Sequence, residues 1–226
     1  MNASGVEIVV ADDPIEEAAE RIAEAARAGG QVALSGGSTP RPAYERAGVL
    51  CADWSGVELW WVDERAVPPD DSRSNYRLVR EALLDGLALP PAAVHRVRGE
   101  LSAQEAADEY DRELRDVVLA LAVMGIGSDG HTASLFPNAP ALEEHGRRAV
   151  AAEAGLEPFV PRVTLTRPVL AEADTMLYLV TGEEKAEAVA CAFAAEPSAA
   201  TPASLVRGRH TVAILDAGAA SKLRRQ

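Results

Sequence analysis

Leu119–Met124, LALAVM, runs without a charge into Gly125-Ile126-Gly127-Ser128-Asp129-Gly130-His131. A short apolar run ending on glycines reads as a buried strand that turns sharply at its carboxyl end. The pattern repeats outward in both directions. Gln31–Ser35 leads into Gly36-Gly37-Ser38-Thr39-Pro40, Val57–Val62 stops at Asp63-Glu64-Arg65, and Met176–Val180 stops at Thr181-Gly182. Val6–Val10 and Val212–Leu215 are further strand-like runs. Helical stretches lie between them. Pro14–Ala28 is closed by Gly29-Gly30, and Ser74–Leu84 places Tyr76, Val79 and Leu83 on one face. Ser102 caps a helix to about Asp116, with Glu105 placed as in a capping box. Glu183–Phe193 is helical, and a short C-terminal helix follows Leu215. Strands separated by helices in this order predict a single α/β, Rossmann-like domain over residues 1–226, its mainly parallel sheet flanked by helices. Ligands of such sheets bind beyond the carboxyl ends of the strands, where the unusual residues of this chain collect.

Composition narrows the function. An apolar fraction of 48% in 226 residues suits a globular protein with a substantial core. A net charge of −13 opposes nucleic acid as a partner. Apolar runs such as Val117–Ile126 are too short for a bilayer, and MNASGVEIVV lacks the basic-then-apolar order of a secretion signal. Cys51 and Cys191, 140 positions apart, form neither a metal pair nor a disulfide framework, so a reducing, cytoplasmic setting is expected. Arginine is the usual cation. The two lysines are Lys185, inside a motif, and Lys222, in the tail KLRRQ.

Four strand ends carry the chemistry. Ser35–Pro40 reads either as a tight strand-to-helix turn or as an anion cradle, its backbone N–H groups converging at a helix start beside the hydroxyls of Ser38 and Thr39. In Asp63-Glu64-Arg65, Glu64 reads as part of an exposed salt-bridged turn. Asp63 and Arg65 follow a strand that should be buried, where a charge is costly unless paired or met by a ligand. In the third motif the glycines present His131 at a strand end with Asp129 two residues earlier, an arrangement suited to a general base near neutral pH. His95, His145 and His210 read as structural. Lys185 falls in the first turn of a helix, where a cation is unfavourable unless an anion joins it. No His-Glu-x-x-His or Cys/His spacing suggests zinc, and no Gly-x-Ser-x-Gly elbow suggests a serine nucleophile.

Gly125–Pro137 (GIGSDGHTASLFP), Asp63–Pro68 (DERAVP) and Ser74-Asn75-Tyr76 together resemble the 6-phosphogluconolactonase family of the glucosamine/galactosamine-6-phosphate isomerase superfamily. The resemblance extends from residues 35–40 through Pro161–Thr166 and Gly182–Ala186 to Pro202-Ala203-Ser204. It implies hydrolysis of a phosphosugar lactone without metal or other cofactor. His131 would be the general base with Asp129 beside it, and Arg65 and Lys185 the clamp on the phosphate. Gly36, Gly37, Ser38 and Thr39 would line the pocket, Asp63 would meet sugar hydroxyls, and Arg162 would be a further anion contact. A small-molecule partner is expected, with neither nucleic acid nor membrane, and the chain as a monomer or small homo-oligomer. Two other readings share the fold. A related deaminase would carry glutamate where Phe136 stands and an aromatic residue where Arg65 follows Asp-Glu. A sugar-phosphate-sensing regulator would need a DNA-binding segment ahead of Val6.

Overall fold

The computed structural model describes residues 5–155, 157 and 159–223, so Met1–Ser4 of the N-terminal reading and Arg224–Gln226 of the tail lie outside it. Among the described residues ten strands form: β1 (Val6–Val10), β2 (Gly30–Leu34), β3 (Val57–Trp61), β4 (Asp63–Arg65), β5 (Ala93–His95), β6 (Leu121–Met124), β7 (Ala149–Ala152), β8 (Arg162–Leu165), β9 (Thr175–Val180) and β10 (His210–Leu215). The α-helices are α1 (Pro14–Ala28), α2 (Arg41–Leu50), α3 (Asn75–Ala82), α4 (Ala103–Glu113), α5 (Arg167–Ala171) and α6 (Ala186–Phe193).

Seven strands make one sheet in the order β1-β10-β9-β6-β2-β3-β5, and every neighbouring pair is parallel. Such a sheet must bury both faces, and its strands alternate between two cores. Leu177 and Leu179 of β9, with Val212 and Ile214 of β10, join the core under α1, α2 and α3. Met176, Tyr178, Ala213 and Leu215 join the opposite core, under α4 and α6.

The local signals act as their chemistry requires. The Asp13 carboxylate accepts from the N–H groups of Ile15 and Glu16 at the start of α1, and Gly29 closes the helix with φ +76°. Ser102 and Glu105 form the reciprocal capping box of α4. Two strand ends are completed by buried tyrosines. The Tyr44 hydroxyl donates to the Ser35 carbonyl and accepts from its N–H, and Tyr110 does the same for Trp61. Each phenol supplies the partner that a neighbouring strand would otherwise provide, so the loops beyond β2 and β3 start from fixed points.

Three observations depart from the sequence reading. β4, β8 and β7 form a second, antiparallel sheet in that order. These strands are only three or four residues long, too short for alternation to show. After Leu215 the chain makes turns rather than the expected helix. α4 also ends at Glu113 rather than near Asp116. Among the described residues no helix is long and apolar enough to cross a membrane.

β2 is where the order reverses. β3 and β5 extend the sheet on one side, while β6, β9, β10 and β1 lie on the other. The crevice above β2 and β6 is therefore the expected ligand site. The Ser35–Pro40 and Gly125–His131 segments leave these two adjacent strands.

Candidate active site

His131 Nδ1 lies 2.5 Å from Asp129 Oδ1, and the same oxygen accepts the His131 backbone N–H at 3.1 Å. The ring is thus held at one nitrogen, leaving Nε2 for chemistry. Burial pushes the Asp129 carboxyl up. The hydrogen bonds and charge of His131 outweigh that and hold it below the usual carboxylate range. The loop permits this because Gly127 lacks a side chain: a Cβ there would stand 2.0 Å from His131 Nδ1 and 2.6 Å from Asp129 Oδ1. Gly130 turns with φ +83°, and its carbonyl accepts from Ala203 N–H at 3.0 Å. The 3-10 turn at Pro202–Ser204 therefore braces the loop from behind.

Beyond β2, Gly37 adopts φ +105° and Pro40 leads into α2, which has no side-chain cap. The N–H groups of Gly36, Gly37, Ser38 and Thr39 have no hydrogen-bond partner among the described residues. Free amides at a helix start favour an anion. The segment makes the tight turn, and its free amides are what an anion cradle would need.

Asp63 sits at the junction of the motifs, 7% exposed. Ser134 Oγ donates to its Oδ2 at 2.6 Å, and Asn75 Nδ2 donates to its Oδ1 at 3.1 Å and to its carbonyl at 2.8 Å. Asn75 Oδ1 in turn abuts Gly36, where a Cβ would come within 1.8 Å of it. One carboxylate thus joins the histidine loop, the start of α3 and the glycine loop of β2. Ser134 and Asn75 were not singled out in the sequence, although both lie in quoted motifs.

Glu64 requires a correction. It is 2% exposed, not part of an exposed turn. Its oxygens accept from the N–H groups of Arg65, Asn75 and Tyr76 and from Ser74 Oγ, at 2.7–3.0 Å. It completes the cap of α3 beside Ser74, whose hydroxyl accepts from the Arg77 N–H at 3.1 Å. Burial pushes its carboxyl up against the pull of these donors. The misreading arose because three of the four partners lie ten to twelve residues away, beyond any local pattern.

Arg65 and Arg162 face each other across β4 and β8. Burial first, and then the charge of Arg65, hold the Arg162 guanidinium below its usual range. Arg65 Nη1 donates to the Arg73 carbonyl at 2.6 Å, while its buried Nε has no partner among the described residues. Ser35 Oγ and Asn75 Oδ1 are unserved in the same way. Buried polar atoms left so cost stability unless a ligand or water meets them. Phe136 lies between His131 and Arg162: its ring centre is 4.9 Å from that of His131, and Arg162 Cζ is 5.8 Å from it.

Lys185 ends a 3-10 turn and caps α6, after Gly182 at φ +101°. It forms no ion pair among the described residues, and it follows the carboxyl end of β9, the neighbour of β6. Lys222 instead pairs with Glu187 at the surface. His95 stacks on Trp60 and bonds to Glu58 at 2.9 Å, away from these motifs. Among the described residues no three His, Cys, Asp or Glu side chains group as a metal site.

Residues 6–215 match the family described as glucosamine-6-phosphate isomerases/6-phosphogluconolactonase. The 6-phosphogluconolactonase of Treponema pallidum is 37% identical over 191 residues, covering 76% of this chain and 75% of that protein. The 6-phosphogluconolactonase of Streptomyces coelicolor is 33% identical over 229 residues, covering 90% and 85%. The crystal structure of 6-phosphogluconolactonase from Thermotoga maritima superposes with a TM-score of 0.83 at 30% identity, covering 93% of this chain and 99% of that one.

Proposed function

The chain belongs to the family of glucosamine-6-phosphate isomerases and 6-phosphogluconolactonases, and from that premise we propose that it hydrolyses 6-phospho-D-glucono-1,5-lactone to 6-phospho-D-gluconate. The reaction belongs to the oxidative pentose phosphate pathway. One domain over residues 1–226 carries it, with His131 as general base and no metal.

The observation that carries this reading is the His131–Asp129 contact of 2.5 Å, joined through the Phe136 ring to Arg162 of the arginine pair. Asp129 accepts the proton on Nδ1, so Nε2 presents its lone pair to a water. That water attacks the lactone carbonyl and gives its proton to Nε2. A carbon–oxygen bond forms, and negative charge collects on the former carbonyl oxygen, where fixed donors and cations stabilise it. As the tetrahedral centre collapses, the ring carbon–oxygen bond breaks and the protonated imidazole passes its proton to the departing ring oxygen. The product is an open chain bearing a hydroxyl and a carboxylic acid, which releases its remaining proton to solvent to become the carboxylate. Arg65, Arg162, Lys185 and the free amides of residues 36–39 supply the donors that a phosphate needs at the other end. Asp63 braces the pocket through Asn75 and Ser134 and, as the family resemblance implies, meets the sugar hydroxyls.

The test is to generate 6-phosphogluconolactone and follow its decay with and without the protein, since lactones also hydrolyse spontaneously. Faster decay that persists in a strong chelator supports the reading. No acceleration over the background refutes it, and turnover of glucosamine 6-phosphate in a parallel assay would place the chain with the isomerases.

A further inference from the structure

We propose that Phe136 is a positioning residue: its ring sets the span between the base and the anion-binding arginines, and so favours lactones whose charged group lies a fixed distance from the ester carbonyl. The inference rests on the lactonase reading above and deepens it.

Phe136 is 5% exposed, yet it belongs to neither hydrophobic core. Its aromatic contacts are with site residues instead. The His131 ring centre lies 4.9 Å away at an interplanar angle of 39°, and the Arg162 guanidinium stands 5.8 Å from the ring centre. Behind it, Gly155 leaves room for the ring and for nothing more. A Cβ on Gly155 would come within 2.7 Å of Cδ1 and 2.8 Å of Cγ. These atoms are near the root of the side chain, so the ring could not swing aside cheaply.

A single hydrogen bond from Nδ1 to Asp129 leaves an imidazole free to pivot about that bond. The Phe136 ring closes off one direction of pivoting. Because the same ring carries Arg162, the base and the cation cannot drift independently. A substrate whose phosphate docks on the arginines then brings its carbonyl to Nε2 without further search, which converts phosphate binding energy into rate. An unphosphorylated lactone gains nothing from that registration.

The experiment compares kcat and KM for 6-phosphogluconolactone and for D-glucono-1,5-lactone in the wild type and in Phe136→Leu, Phe136→Tyr and Gly155→Ala, with thermal unfolding of each. Phe136→Leu should lower kcat for the phosphorylated lactone by about ten-fold or more while KM moves little, because small misplacements of reacting groups cost that much. The advantage of the phosphorylated over the plain lactone should shrink by a similar factor. Phe136→Tyr, which keeps the ring, should restore most of it. Gly155→Ala, which shifts the ring without removing it, should reproduce the loss even if Phe136→Leu folds poorly. Equal losses on both lactones, or an unchanged advantage in Phe136→Leu and Gly155→Ala, would overturn the inference and leave the lactonase reading standing. A wild-type protein that accelerates neither lactone would overturn both.

Discussion

Arg65 and Arg162 are register partners across β4 and β8, two guanidinium-bearing residues set directly opposite each other on antiparallel strands. Like charges in that relation destabilise a ladder. Arg162 is also buried, which adds to the cost of its charge. An arrangement of this kind is repaid when an anion sits between the two cations. Arg65→Ala and Lys185→Ala should each weaken binding of 6-phosphogluconate by ~1.5–3 kcal/mol, the usual value of one charge-assisted hydrogen bond. Titration calorimetry at fixed salt measures it. Unchanged affinity in both variants removes them from the phosphate clamp.

His131→Ala should lower kcat by about 10²–10⁴-fold, the range typical of a lost general base, with 6-phosphogluconate still bound. Gly127→Ala offers a second approach to the same point. The added methyl would stand 2.0 Å from His131 Nδ1, so the imidazole must move off Asp129. A fall in kcat is expected there too, with binding of 6-phosphogluconate largely kept. Full activity in His131→Ala would exclude the base assignment outright.

Glu64 tests how the site is held rather than what it does. Each of its oxygens receives two donors, so the position demands an acceptor on both sides. Glu64→Gln would turn an amide NH₂ toward two donors that need a lone pair. A loss of about 1–3 kcal/mol in unfolding free energy is expected from the buried groups left unpaired. Denaturant unfolding would show it, and a variant as stable as the wild type would mean that these bonds contribute little.

Six strands of the main sheet were legible because they announce themselves twice, by apolar content and by the glycines or charges that end them, whereas the three-residue β5 was not read. LALAVM before Gly125 and VELWWV before Asp63 mark a buried strand and its exit loop in one reading. The second sheet gave no such sign. Its strands take their pairing from Asp63–Thr164 and Ala149–Leu165 contacts between distant segments, which no short window contains. The site divides in the same way. His131 and Asp129 are two residues apart and carry their relation in the sequence. Asp63, Asn75 and Ser134 meet only in space, across a separation of up to 71 residues, so the junction that Asp63 makes had no local pattern to reveal it. Glu64 was misread for the same reason.

Asp129 links stability, pH and rate. Its carboxyl is held below the ordinary value of 3.8 in the folded protein, so its stabilising contribution is complete above that value. The contribution is lost as pH falls through the lower, folded-state value, where protonation removes the acceptor for His131. The stability difference between wild type and Asp129→Asn should therefore be present above that value and narrow once the pH drops below 3.8. Chemical unfolding at a series of pH values below 3.8 measures this, and a difference that does not narrow there contradicts the assignment. The rate should respond differently. An asparagine can donate to Nδ1 as readily as accept from it, and when it donates, the proton of the neutral ring sits on Nε2. The nitrogen facing the water is then a donor and cannot take a proton. Asp129→Asn should lose about 10²–10⁴-fold in kcat at neutral pH, even though it changes only which nitrogen of His131 holds the hydrogen.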